Sequence, residues 1–378
     1  MPLFPRRAVR QGILKPPCDA FPYNCLMTPL AHREQPHFHE QTSLSTPLRD
    51  MGLAIAGTWL EPVIREFENE VLAAGIRRLK PQFYLSNEWG VSDSLAIGIP
   101  FYLAKPELME VHVQRAGHVE GRTPADVLRY LRHELGHVIC YAYRLYDDEQ
   151  YVKLFGANTQ PYVEEFRAEP FSRRYVRHLP GWYAQKHPEE DWCETFAVWI
   201  MPGSNWREEY KEWPALAKLE YCDDVVRRIG DAEPVATSTH QEDDISQFEG
   251  SVQQFYDQWA QSSGEWLTLG KIEMPPGLDG ALKSIFEELG DREDASTAAR
   301  KPASQLILRL ENNLMADLYR WTGHFPERTR PLLRHLASRA DELSQVYPED
   351  REIDAACAVT ALVTTLAMNF VCRGKYLH

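Results

Sequence analysis

The sequence contains no C-x-x-C pair, although seven cysteines are scattered along its 378 residues. An odd, scattered set is unlike a disulfide framework, so we interpret the cysteines as buried thiols and expect a cytoplasmic protein. The first residues include arginines but no apolar run typical of a signal peptide. One uncharged stretch, Ala355 to Cys372, is long enough to cross a membrane. Its threonines, asparagine and alanines make it only weakly hydrophobic, so we predict a buried bundle helix, with a tail anchor as the alternative.

A basic patch is also missing. The net charge is −14, and residues 231–300 hold 15 Asp and Glu against 4 Lys and Arg, a net charge of −11. The remaining −3 is spread over all other residues, so we predict that the protein does not bind nucleic acid, because such proteins need positive charge for the phosphates. A chain of this length exceeds what one core usually absorbs, so we expect at least two domains.

The segment HELGH carries the clearest chemical signal. His133 and His137 are four residues apart, so on a helix both imidazoles lie on one face and can bind one metal ion, with Glu134 placed to act on a water molecule. A helix is expected from Thr123 to about Tyr146, because Thr is a good N-cap and Pro124 suits the first helical position. Gly136, within this helix, indicates close packing against a neighbouring element.

A catalytic zinc site needs a third protein ligand. The third histidine that some HExxH proteins place six residues later is absent, since Tyr143 occupies that position. A second helix is predicted downstream, because Pro188 suits a helix start and apolar residues continue the pattern. Glu190 and Glu194 share one face of it, so one of them can bind the metal while the other hydrogen-bonds the outer nitrogen of a ligand histidine.

These features together resemble the gluzincin group of zinc metallopeptidases. They are also similar to a family of bacterial zinc-binding metallopeptidases, over about residues 50–230. The matching stretches are FYLSNEW (83–89), IGIPFYLA (97–104), HELGH (133–137) and HPEEDWCETFAVW (187–199). The resemblance implies Zn²⁺ as the cofactor, Glu190 as the third ligand, and Glu194 as the residue that orients a ligand histidine. Cys193 falls where a small residue is more usual, and we expect it to pack as a small hydrophobe.

The function that follows is hydrolysis of a peptide bond in a peptide or protein substrate. Glu134 would be the general base, and Tyr183, which resembles a tyrosine placed there in some gluzincins, would stabilise the oxyanion. His178 and Tyr175 are the alternatives to Tyr183, and His187 is a remaining candidate ligand. The alternative function is a catalytically silent binding protein that keeps this scaffold and engages a partner through its C-terminal helices.

The predicted fold class is α+β. A zincin-like domain (48–230), with a small mixed sheet and the two ligand-bearing helices, follows an irregular arm (1–47). An acidic linker with a docking helix (231–302) and a C-terminal helical bundle (303–378) complete the chain. Predicted strands cover 82–86, 95–103 and 109–114, and Pro100 makes the second an edge strand. Substrate would add to that edge, and the candidate binding residues are Ile99, Phe101 and Tyr102.

Overall fold

The computed structural model describes residues 44–116, 118–162, 166–235, 243–268, 277–288 and 299–376. Nearly all of the predicted N-terminal arm, and parts of the acidic linker, lie outside these residues. Within them the chain is rich in helix and carries two small three-stranded sheets, as the α+β prediction requires in outline.

The first sheet contains the strands Gln82–Ser86, Gly90–Val91 and Ala96–Pro100. Ala96–Pro100 lies in the middle, parallel to Gln82–Ser86 and antiparallel to Gly90–Val91. The prediction of an edge strand here was therefore wrong. An uninterrupted apolar run is typical of a strand buried on both faces, and Pro100 stands at the last paired position, beyond which the chain enters the 3₁₀ helix Phe101–Ala104. The two outer strands are Gln82–Ser86 and Gly90–Val91. We call Gly90–Val91 the edge strand.

The predicted strand at 109–114 was also wrong. These residues belong to the helix Pro106–Ala116. Leu108, His112 and Ala116 recur at every fourth position and are its buried residues, so the packing follows the helical period and the alternation in MEVHVQ is coincidental.

Two helices bring the motif residues together. The motif helix, Pro124–Ala142, begins at Thr123, whose hydroxyl accepts a hydrogen bond from the backbone N–H of Asp126. The carboxylate helix, Pro188–Ile200, begins at the N-cap His187. A Cβ atom added at Gly136 would lie 2.7 Å from the Cα atom of Cys193. Only glycine permits this approach, as the sequence indicated.

The remaining elements complete the helical framework. Other α-helices are Leu60–Ala73, Glu149–Phe155, Trp206–Glu209, Leu216–Ile229, Val252–Thr268, Leu278–Ile285, Ala303–Thr322, Pro326–Glu342 and Glu352–Arg373. The second sheet is antiparallel, with Gln345–Pro348 between Glu287–Glu288 and Arg300–Pro302.

The buried apolar side chains form two main cores. One extends from Leu48 to Tyr256 and encloses the motif helix, and the other extends from Leu278 to Tyr376 and joins the three C-terminal helices. By length and composition, one described helix, Glu349–Arg373, could cross a membrane; its most apolar window has a mean hydropathy of 1.8 and is 28% buried. That helix contributes Val363 and four other side chains to the second core.

Candidate metal centre

The two motif histidines point toward one carboxylate oxygen. Glu190 Oε2 lies 3.1 Å from His133 Nε2 and 3.5 Å from His137 Nε2. This oxygen is buried and has no partner with hydrogen-bond geometry among the described residues. Three potential ligand atoms therefore lie close together, although Glu190 is 53 residues beyond His137 in sequence (190 − 137).

The other ring nitrogens are held by carboxylates. His133 Nδ1 donates to Glu194 Oε1 at 2.9 Å, and His137 Nδ1 donates to Glu189 Oε1 at 3.0 Å. Glu194 also accepts a hydrogen bond from the backbone N–H of Leu179, at 2.8 Å, and Glu189 accepts one from the Tyr141 hydroxyl. With each Nδ1 acting as a donor, each Nε2 presents a lone pair, which is the arrangement that outer carboxylates impose on metal-binding histidines.

The site concentrates negative charge where water is largely excluded. Glu134, Glu190 and Glu194 are buried, and Glu189 is half-buried. Burial works to lower the pKa of His133, but the neighbouring carboxylates of Glu190 and Glu194 outweigh it and raise the pKa to about 9. Burial raises the pKa of Glu134. Several buried carboxylates beside two imidazoles need a positive charge for compensation, and a proton or a metal ion can provide it.

The donor set fits a divalent transition metal. Ligand atoms about 2.0–2.1 Å from a tetrahedral ion are about 3.3 Å apart, and the separations of Glu190 Oε2 from the two Nε2 atoms bracket this value. Cys193 is a second candidate, because His133, His137 and Cys193 offer ligand atoms within 4.8 Å of one another. Cys193 is fully buried in the first core against Gly136, and burial raises the pKa of its thiol.

Tyr183 lies beside the histidine pair. Its ring centroid is 5.6 Å from that of His133, and its hydroxyl is 3.3 Å from the hydroxyl of Tyr162. Tyr162 donates to Glu190 Oε1 at 2.8 Å, so a chain of two hydroxyls ends on the candidate ligand. Burial raises the pKa of Tyr183, which keeps the phenol protonated and able to donate.

The alternatives to these residues have structural roles. His178 Nε2 donates to the backbone carbonyl of Arg129, and burial lowers its pKa to about 4. Tyr175 lies under the ammonium group of Lys218, with Nζ 4.5 Å from its ring centroid. Both nitrogens of His187 are used, since Nδ1 accepts from the Glu189 N–H and Nε2 donates to the Gln160 carbonyl.

All three predicted substrate contacts belong to the first core. Ile99 and Phe101 are fully buried and Tyr102 is buried, and none of them lies on the edge strand. Tyr102 lines a cavity apart from the two histidines, and the role of these residues in substrate binding stays a prediction.

Sequence reasoning missed Glu189, Tyr141 and Tyr162. Glu189 lies in the first turn of the carboxylate helix, and Tyr141 lies in the last turn of the motif helix. The spacing gave a usable signal for Tyr141, which lies one turn after His137 on the same face. Tyr162 lies in a segment without helical or strand periodicity, so no sequence pattern connects it to the site.

Two imidazoles, each with a carboxylate at both ring nitrogens, form a site that can hold a metal ion. Residues 118–211 match the family model described as "Putative zinc-binding metallo-peptidase". This stretch contains the motif helix and the carboxylate helix, and it ends before the acidic and C-terminal segments. No curated protein and no solved structure matches the chain.

Proposed function

We propose that the protein is a zinc-dependent metallopeptidase of the gluzincin type, with a zincin-like fold around residues 48–230. The observation that carries the proposal is the convergence of His133 Nε2, His137 Nε2 and Glu190 Oε2 on one point, with a carboxylate fixing each outer nitrogen. The family match over both helices supports it. Three protein ligands leave one position open, as a catalytic zinc site requires.

A zinc ion held there would act as a Lewis acid on the scissile carbonyl and increase the acidity of the attacking water. Glu134, adjacent to His133 and buried, would take a proton from that water and pass it to the leaving amine. Tyr183 would donate a hydrogen bond to the oxyanion.

The edge strand Gly90–Val91 replaces Ile97–Ala104 as the proposed site of main-chain contact with substrate. It pairs with the central strand on one side only, and it packs near the motif helix. A Cβ atom at Gly90 would meet nothing within 4 Å, so one face of the strand is open there. We propose that an extended peptide adds as a further strand along the unpaired edge.

The competing function is a silent binding protein. Glu134 argues against it, because a purely structural zinc site has no need of a buried carboxylate that neither binds the metal nor orients a ligand. A closed site with Glu190 and Cys193 both bound would instead favour it, since four protein ligands leave no place for substrate.

The test is cleavage profiling of a peptide library by wild type and by Glu134→Gln, with the zinc content of both measured. We expect Glu134→Gln to retain zinc and to lose about 100-fold or more of the turnover. Glu212→Gln, an exposed carboxylate distant from the motif in sequence, serves as the control and should cleave like wild type. Equal cleavage by wild type and Glu134→Gln would contradict the proposal.

A further inference from the structure

The C-terminal helices reach the segment that carries Tyr183. That segment is the short helical loop Pro180–Gln185, which we call the tyrosine loop. The helix Ala303–Thr322 packs against it, and so does the turn that follows this helix, residues 322–324, which we call the bundle turn. The C-terminal helices lie outside the stretch 118–211 that matches the family model, so that match assigns them no role.

Two glycines form the contact between the bundle turn and the tyrosine loop. A Cβ atom added at Gly323 would lie 2.5 Å from the Cα atom of Gly181 and 3.2 Å from its carbonyl carbon. Both glycines have a positive φ, 71° at Gly323 and 83° at Gly181. The two backbones therefore touch with no side chain between them, an approach that only glycine at position 323 permits.

The bundle turn is the more firmly held of the two segments. Thr322 and His324, on either side of Gly323, are buried. The backbone N–H of His324 donates to the Thr322 hydroxyl at 3.2 Å, and its ring is hydrogen-bonded to the hydroxyls of Thr329 and Tyr376. The tyrosine loop is mostly half-buried. We therefore expect a closer contact at this point to move the tyrosine loop.

The tyrosine loop holds backbone strain directly before Tyr183. Trp182 has a φ of 55°, in the left-handed region, where a residue with a side chain is destabilised. Such a conformation persists where the surrounding structure holds it in place. The bundle turn contacts Gly181, the residue before Trp182, so it is part of what holds the loop in this conformation.

A shift of the tyrosine loop would reach the candidate metal centre. The ring centroid of Tyr183 is 5.6 Å from that of His133. The Tyr183 hydroxyl is 3.3 Å from the hydroxyl of Tyr162, which donates to Glu190 Oε1 at 2.8 Å. The separation of the two hydroxyls is already long for a hydrogen bond, so a small displacement of the loop would break this link.

We propose that Gly323 is a positioning residue: the bundle turn holds the tyrosine loop so that Tyr183 lies beside His133. The C-terminal helices thereby take part in the reaction, although they supply no group to the metal centre. The effect on turnover rests on the proposed function, because it acts through Tyr183. The position of Tyr183 can be measured independently of turnover.

The contact is broken by Gly323→Ala, which places a Cβ atom against Gly181. The matched control is Gly374→Ala. Gly374 follows the last helix in the same conformation, with φ 69° and ψ 18° against φ 71° and ψ 14° at Gly323, so both substitutions strain the backbone alike. The atoms nearest to a Cβ at Gly374 would belong to the Arg167 guanidinium, a flexible side-chain end that can move away.

The position of Tyr183 is measured by fluorine NMR of the full-length protein labelled with fluorotyrosine. The Tyr183 resonance is identified by its loss in Tyr183→Phe. We expect Gly323→Ala to shift this resonance and Gly374→Ala to leave it in place, because only the first variant pushes on the tyrosine loop. A Tyr183 resonance that is unchanged in Gly323→Ala would overturn the proposal.

A second pair of variants applies if Gly323→Ala does not fold, as judged by circular dichroism. Asparagine adopts the left-handed conformation more readily than alanine, so Gly323→Asn strains the backbone less and still places a Cβ atom against Gly181. It should shift the Tyr183 resonance, and Gly374→Asn should not. An unmoved resonance in folded Gly323→Asn would equally overturn the proposal.

Turnover provides the second readout, in the zinc-loaded full-length protein. Gly323→Ala should lower kcat by about tenfold or more and change KM by less than about threefold, because a donor to the oxyanion acts in the transition state. Gly374→Ala should cleave like wild type. Gly323→Ala combined with Tyr183→Phe should be no slower than Tyr183→Phe alone, since both changes remove the same interaction. Losses that multiply would show that Gly323 does not act through Tyr183, and would overturn the proposal.

The two readouts separate this proposal from the proposed function. A Tyr183 resonance that moves in Gly323→Ala alone, in a protein whose wild type cleaves no peptide, would overturn the hydrolytic function and leave the positioning of Tyr183 standing. Cleavage by wild type, with a kcat and a Tyr183 resonance that Gly323→Ala leaves unchanged, would overturn the positioning role and leave the hydrolytic function standing.

Discussion

The candidate metal centre and the C-terminal helices each bury a histidine whose two ring nitrogens both face oxygen atoms of neighbouring side chains. His133 lies between Glu190 and Glu194, and its pKa is raised to about 9. His324 is bonded to the hydroxyls of Thr329, at 2.7 Å, and Tyr376, at 2.9 Å, and burial lowers its pKa to about 3. Burial alone therefore favours a neutral imidazole. The carboxylates turn the first site into one that attracts a cation, and their absence makes the second a structural link between helices.

The largest expected effect separates Glu190 from Cys193 as the third ligand. Glu190→Ala removes one of three proposed protein ligands and should weaken zinc binding by about 100-fold or more. The binding free energy of a structural zinc site, about 10–16 kcal/mol, comes from only a few ligands, so each contributes several kcal/mol. Cys193→Ala should change zinc affinity by less than about threefold, since we propose that the thiol packs against Gly136 without binding the metal. Competition with a zinc chelator dye measures both. A larger loss of zinc affinity in Cys193→Ala than in Glu190→Ala would show that Cys193, and not Glu190, is the third ligand.

A smaller effect is expected when an outer carboxylate becomes an amide. In Glu194→Gln the side chain must still accept the hydrogen bond from Leu179 N–H, which turns its NH₂ group toward His133 Nδ1 and disfavours the tautomer that binds through Nε2. Zinc affinity should fall by about 10–100-fold, with Glu190 and both histidines intact. Chelator competition again provides the value, and an unchanged affinity would show that Glu194 does not orient His133.

The smallest effect concerns the C-terminal histidine and acid. The pKa of His324 is about 3 in the folded protein and about 6.5 when unfolded, so between these values the unfolded chain binds more protons. Stability therefore rises with pH across this window and is lost as pH falls below about 6.5, by up to about 1.4 kcal/mol per pH unit. His324→Gln should reduce that slope. The free energy of unfolding is measured by urea unfolding of the zinc-free wild type and variant at pH 7, 6 and 5. The same change of this free energy with pH in both proteins would contradict the prediction.

The helices were the most predictable part of the fold. Thr123 and Pro124 start the motif helix where the capping pattern indicated, and Pro188 does the same for the carboxylate helix. The sheet was less predictable, because a short apolar run does not reveal how many neighbours a strand has. Pro100 was interpreted as an edge marker, yet it ends a central strand. The alternation at 109–114 was a chance pattern that the helical packing of Leu108 and His112 overrides.

The site was predicted from residue spacing along single helices, so contacts between different elements could not be predicted in the same way. The four-residue repeats of His133 with His137 and of Glu190 with Glu194 could be found because each pair shares one helix face. That Glu190 and Glu194 face the histidines depends on how the two helices cross. In the sequence, Gly136 indicated close packing there, and the structure shows that its partner is Cys193. Tyr162 comes from a segment outside both helices, and tertiary packing alone brings its hydroxyl to Glu190.

The zinc content of the wild-type protein tests the central claim most directly. Protein purified from zinc-supplied cells and analysed by mass spectrometry of the metal should contain about one zinc per chain, and His133→Ala with His137→Ala should contain none while remaining folded by circular dichroism. Wild-type protein that carries no zinc, and binds none when zinc is added at micromolar concentration, would contradict the account.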